Sequence, residues 1–311
     1  MVLEFSSVYF VLWRRVRRAR VTLAAMCSAA LFASGCSNLG ETHADGIVWQ
    51  TDATTTRPTG HWQWLGVRDL LIQWVVVDDT AFVPVDTQGA SGLPALQGVH
   101  MASQLPDWDR ISREPWASNV ILGLAGYSDE KRARDNIAKL ADMSASVAHL
   151  ATPLHVKGYY FPVEIDPSWT DASKLAAVLN KLPRPLWVTV YDRKNIGGGT
   201  LADWLATWLP ADVGVFFQDG CGVYARVPSV ARVYLDALSS RLGRRRVRVI
   251  AEAFRPSEHG GFRAATAEEL KEQLATYNGY SVYLFDGPHY VSDPLVRALA
   301  PQAAERQGAS R

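Results

Sequence analysis

The chain has 311 residues, 48% hydrophobic and 20% charged, with a formal net charge of +1 at pH 7. That apolar share excludes a disordered chain and supports a sizeable core. The near-neutral charge argues against nucleic acid as a partner, because a nucleic-acid binder carries a basic stripe.

The first segment with a clear pattern is basic, from Arg14 to Arg20. An uncharged apolar run follows, Val21 to Phe32, and then Ala33-Ser34-Gly35-Cys36. A basic stretch, a short apolar stretch and small residues before a cleavage point define an export signal, expected over 1–35. The apolar run is shorter than the roughly 20 residues of a membrane-spanning helix. Small-Gly-Cys resembles a lipobox, with Ala33 where Leu is usual. The resemblance implies that Cys36 becomes the lipid-modified N-terminus, held on a membrane without crossing it. Residues 36–45 are then a tether, and Ser37 after the Cys leans towards the outer membrane. The chain has 3 cysteines. Cys27 leaves with the signal and the lipid consumes Cys36, so Cys221 alone remains and no intrachain disulfide is expected.

From residue 46, short apolar runs alternate with helical patterns, the order of βαβ units around a parallel sheet. Strands are expected at 46–50, 69–77, 119–125, 156–163, 185–191, 213–218, 247–251 and 280–285. Eight such strands in one domain, 46–302, predict a single (β/α)8 TIM-type barrel. Helices are predicted at 129–150, 171–180, 227–242 and 266–278. Leu140, Met143 and Val147 fall on one stripe of the first, and Thr266 to Glu269 opens the last with a capping-box pattern. The first crossover leaves room only for a short or degenerate helix near 58–65. Residues 80–118 form an irregular insertion after strand two, with a short helix near 108–114. Gly197-Gly198-Gly199 lacks a phosphate-binding fingerprint and reads as a flexible loop. The Arg244–Arg248 run precedes an apolar strand and reads as a solvated approach to it. Residues 303–311 form a disordered tail.

In such barrels the chemistry lies at the C-terminal strand ends. The last five strands each bring a carboxylate there: Glu164, Asp192, Asp219, Glu252 and Asp286. Closely spaced carboxylates raise one another's pKa and can furnish an acid and a base in one pocket. The sharpest pair is Glu164 after strand four and Glu252 after strand seven. Retaining glycosidases use two such groups. By analogy with barrel glycosidases, Glu164 is the general acid/base and Glu252 the nucleophile, although Val163 stands where those enzymes commonly carry Asn. Asp219 is the rival catalytic carboxylate. Trp49, Gln50, Gln73, Trp74, Asp192, Gln218, Asp286 and Tyr290 are candidates for substrate contact, the tryptophans because sugar rings stack on aromatic faces. Salt bridges from Arg193 and Arg255 are the bland alternative for these charges. No zinc spacing, P-loop or nucleophile elbow is present, so neither metal nor cofactor is expected.

The stretches 46–50, 71–74, 158–166, 216–222 and 251–254 resemble a family of exported bacterial proteins, the DUF4434 group, related to glycoside hydrolase barrels. The resemblance implies a barrel and a polysaccharide-related role, with no established reaction. Three readings stand: a hydrolase acting on an exopolysaccharide or envelope glycan; a glycan-binding or assembly lipoprotein on the same barrel; and a metal-dependent hydrolase holding a hard cation through Asp192, Asp219 and Asp286.

Overall fold

The structure is a computed structural model that describes residues 42–85, 96 and 98–301. The expected export signal, Cys36, most of the tether and the 303–311 tail lie outside the described residues, as do 86–95 and 97 of the insertion.

Eight strands close into a barrel: β1 (Gly46–Trp49), β2 (Asp69–Ile72), β3 (Asn119–Gly123), β4 (Val156–Ile165), β5 (Leu186–Val190), β6 (Val213–Gln218), β7 (Val247–Glu252) and β8 (Val282–Phe285). Every strand pairs parallel with its sequence neighbour, and β8 closes on β1. This is the TIM-type (β/α)8 barrel anticipated from the strand count. The barrel begins to be held at Ala44, which is fully buried and bonds the Leu65 carbonyl at 2.9 Å.

Successive side chains on a strand point to opposite faces. Val48, Leu71, Ile121, Tyr160, Phe216, Ile250 and Tyr283 form one cluster, with Trp187 and Phe285 packed on it. These residues fill the barrel interior. Their neighbours, such as Ile47, Leu70, Val188, Val215, Phe217, Val249 and Leu284, belong to a separate and larger cluster under the helices. Both faces are apolar because both are covered, as parallel sheets require. Near the N-terminal end of the interior, Trp187 fills the space left by two glycines. A Cβ on Gly158 or Gly214 would lie 2.4 or 2.3 Å from its ring. Arg248 lies over the same indole at 4.3 Å and donates to the Tyr283 hydroxyl at 2.7 Å. Arg248 is therefore part of the barrel floor, whereas the sequence reading placed it in a solvated run.

Besides two single turns, Trp108–Ile111 in the insertion and Gly287–Tyr290, the helices are α1 (Glu130–Asp135), α2 (Ile137–Val147), α3 (Leu175–Leu179), α4 (Gly198–Ala206), α5 (Pro228–Leu242), α6 (Ala267–Thr276) and α7 (Asp293–Leu299). The expected 129–150 helix breaks at Asn136, whose backbone departs from helical geometry; Leu140, Met143 and Val147 are buried as predicted. The capping box at Thr266 and Glu269 is formed. The first crossover contains only a 3-10 turn, Trp62–Leu65.

Two further expectations differ from the structure. The predicted strand 69–77 leaves the barrel after Ile72, and Val76–Val77 joins Thr80–Ala81, His100–Met101 and Ala125–Gly126 in a small separate sheet. The glycine run at 197–199 is not a loop: Gly197 caps α4 with φ 99°, and Gly198 lies against α5 so closely that a Cβ would come 2.7 Å from Tyr234 Cα. Of the three, Gly198 lets the two helices approach.

Candidate active site at the barrel mouth

Side-chain parity sorts the strand-end residues into two sets. Continuing the interior face from the apolar cluster towards the C-terminal ends leads to Gln50, Gln73, Glu164, Tyr191, Gln218 and Glu252. Asp192, Asp219 and Asp286 are each one residue beyond an interior position, so they turn outward beneath the helices.

The two interior carboxylates differ. Glu164 is a quarter exposed, and its Oε1 accepts a 3.0 Å ion pair from Arg193. Its other oxygen accepts from Gln218 Nε2 at 3.3 Å. The same Arg193 nitrogen binds Glu130, the first residue of α1, at 2.7 Å. Glu130 also pairs with Arg134, which donates to the Glu164 carbonyl at 3.1 Å. Burial and then the Glu130 charge push the Glu164 carboxyl above the usual range, while Arg193 and Arg134 oppose them. Glu252 is 2% exposed. The Gly222 N–H donates to its Oε2 at 2.7 Å. Burial, then the Asp219 charge, push it up to about 8, and Glu164 adds a smaller push in the same direction. Tyr191 feels both glutamates: burial and then Glu252 raise its hydroxyl, and Glu164 adds to this. Both carboxyls thus act on one interior tyrosine.

Asp219 is fully buried and faces α6. Its Oδ1 accepts from the backbone of Cys221 at 3.1 Å and of Glu252 at 3.3 Å. Its Oδ2 accepts from Tyr277 at 2.9 Å and from Gln273. Four donors occupy it, so the expected rival catalytic group is a structural anchor between β6, β7 and α6. Asp192 accepts from the Tyr234 hydroxyl of α5 at 2.7 Å. Asp286 accepts from the Gln50 and His289 backbones at 2.9 and 3.0 Å, and its Oδ2 pairs with the His289 ring at 3.0 Å. These three aspartates have separate partner sets, so the metal-site reading fails; among the described residues no group of three His, Cys, Asp or Glu could hold an ion.

The tryptophans expected to bind substrate are also turned away. Trp49 is fully buried, with its Nε1 on Thr55 at 3.1 Å and its ring against Trp108. Trp74 is 6% exposed and donates to the Thr51 carbonyl at 2.9 Å, packed with Val77 and Phe82. Gln73 retains a buried Oε1 without a partner. Tyr290 stands at the rim, its ring 5.3 Å from that of Phe254.

Sequence reasoning missed Glu130 and Tyr191, and it missed the Gly222 N–H. It also missed Arg226, which is 7% exposed and holds the carbonyls of Gln218 and Asp219 at 3.1 and 3.2 Å. Of the two arginines it offered as ion-pair partners, Arg193 serves Glu164. Arg255 instead holds the Glu252 and Phe254 carbonyls, at 2.9 and 2.7 Å, and Gln273. An acidic residue opening a helix after β3 was the one available signal for Glu130.

The fold is a TIM-type barrel with its candidate site at the C-terminal strand ends. It is similar to the crystal structure of a Bacteroides thetaiotaomicron protein described as a candidate alpha-L-fucosidase. The TM-score is 0.55 and the identity 14%, over 92% of this chain and 98% of that one. No family model matches the chain, and no curated protein does.

Proposed function

We propose that the chain is an exported, lipid-anchored glycoside hydrolase on the periplasmic side of the cell envelope, acting on an exopolysaccharide or envelope glycan. The observation that carries the catalytic part is that, of five strand-end carboxylates, Glu164 and Glu252 alone share the barrel interior. In a retaining reaction the Glu252 carboxylate attacks the anomeric carbon while Glu164 gives its proton to the departing oxygen. Water, deprotonated by Glu164, then breaks the glycosyl ester. Gln218 orients Glu164, and the Gly222 N–H fixes Glu252. Export and anchoring rest on the leader and on Cys36, and the resemblance to the DUF4434 group supports a polysaccharide substrate.

The resting charges favour a second distribution of roles. Burial raises both carboxyls, but at Glu164 the Arg193 ion pair opposes the rise, whereas Glu252 has no ion pair among the described residues and is pushed up to about 8. With both carboxyls raised, the one without an opposing ion pair is the better holder of a proton and so the candidate acid. Read so, Glu252 is the acid and Glu164 the attacking or water-activating group. Azide with an aryl glycoside decides between them. The nucleophile variant of a retaining enzyme returns a glycosyl azide of inverted configuration, and the acid/base variant one of retained configuration. Unchanged glycan turnover in both Glu164→Gln and Glu252→Gln would remove catalysis from this pair. The burial of Glu252 favours the non-catalytic alternative, a glycan-binding barrel. Oligosaccharide binding without product after long incubation is the result that establishes it.

A further inference from the structure

A second concavity lies beside the mouth, between the segments that follow β3 and β4. It encloses about 160 Å³. That is room for about five waters, the scale of one sugar ring and well below a drug-sized pocket. Its wall is apolar at Trp169 and Leu175, and polar at Arg134, Asp135, Asp171 and Lys174.

The arrangement is selective. Arg134, whose side chain is 17% exposed, lies over the Trp169 ring at 5.0 Å and is already occupied by Glu130 and the Glu164 carbonyl. The Arg134 charge is already paired with Glu130, which disfavours a carboxylate here, while its buried Nε has no partner and is one further donor. Lys174 and Asp171 form a 2.9 Å pair at the opening, with side chains 78% and 58% exposed. A carboxylate that accepts beside an ammonium that donates matches two adjacent hydroxyls of a pyranose. Arg134 covers one face of the indole, so the opposite face or the ring edge is what can supply the apolar wall for the C–H face of the ring. Arg134 is also the partition between this cavity and Glu164, through Glu130 and Arg193.

We propose that this cavity is a saccharide subsite for one neutral pyranose ring. It would hold a unit of the same glycan whose neighbouring residue enters the mouth; that last clause alone rests on the function proposed above. The direct test is the 15N-indole NMR signal of Trp169, assigned with Trp169→Phe. The probes are D-glucose, D-galactose, D-mannose, L-fucose and D-galacturonate, each at about 100 mM, enough for the weak affinity of a single ring. At least one neutral sugar should move the signal in wild type and equally in the double variant Glu164→Gln/Glu252→Gln, which needs no turnover. Asp171→Asn and Lys174→Met should each weaken that response at least about fivefold. Silence of the Trp169 signal with every neutral sugar overturns the proposal. So does a response indifferent to Asp171 and Lys174, or one as strong for galacturonate. A moving signal in a protein without glycosidase activity upholds the subsite and rejects the catalytic reading. Turnover with a silent Trp169 does the reverse.

Discussion

The carboxylates on the two faces of this barrel end have opposite fates. Asp219 and Asp286 look outward and are consumed by hydroxyls, amides and backbone N–H groups of the surrounding shell, whereas Asp192, also outward, takes the Tyr234 hydroxyl on one oxygen and keeps a buried Oδ1 without a partner. Glu164 and Glu252 look inward, where Glu164 takes Arg193 and Gln218, Glu252 takes the Gly222 N–H, and the Glu164 charge raises the proton affinity of Glu252. Asp219 and Asp286 are satisfied and hold elements together; the inward pair differs in facing the mouth with both carboxyls raised above their usual range, which marks a site for chemistry. A single residue of strand parity separates the two.

The largest effect should come from the best satisfied group. Asp219→Ala strands four donors, and one unsatisfied buried group already costs ~1–3 kcal/mol. The expected loss is about 3 kcal/mol or more, a fall in Tm of about 6 °C or more by calorimetry. An unchanged Tm would break the contrast between the faces. Asp286→Ala removes the acceptor for Gln50, for the His289 backbone and for its ring, and should cost about 2 kcal/mol in urea unfolding.

The inward group should behave oppositely. Glu252 has a folded pKa raised above its unfolded value, so the folded state binds the extra proton between about 4.5 and 8. Stability contributed by the proton is present below the unfolded value and lost as pH rises through the folded one. Glu252→Gln removes that loss. The variant should stay within about 1 kcal/mol of wild type near pH 5 and exceed it near pH 8, by on the order of 4 kcal/mol. A variant less stable than wild type at pH 8 would place Glu252 with the outward set. The smallest expected change in stability is that of Arg193→Gln, under about 1 kcal/mol for a partly exposed pair. Its effect should show instead in a pH–rate profile, where the limb due to Glu164 moves to higher pH once its cation is gone. A limb that stays in place would show that Arg193 does not set the charge of Glu164.

The eight strands could be read because apolar runs spaced by helices permit few topologies. The facing of the strand ends could not. In Phe216-Phe217-Gln218-Asp219 both faces of the strand are covered, so hydrophobicity does not alternate and the register of in and out is hidden. Asp219 and Glu252 therefore looked equivalent until Tyr277 and Gln273 were seen against the first. Trp49 and Trp74 misled for a related reason: the mass of an indole that makes it a sugar platform also makes it a favoured filler beneath an insertion. The glycine run misled because glycine marks helix contact as readily as a turn.

One irregularity of β4 bears on how this site could be altered. Phe161 pairs with Val188, yet Glu164 pairs with the very next residue of β5, Thr189. The extra residues are Pro162 and Val163, a bulge of two. An even number leaves Glu164 on its face but sets it back along the barrel axis by about 6–7 Å relative to a regular strand. Chain length at this point is thus quantised: adding or deleting pairs would raise or lower the carboxyl in the mouth, while a single residue would rotate it out among the helices.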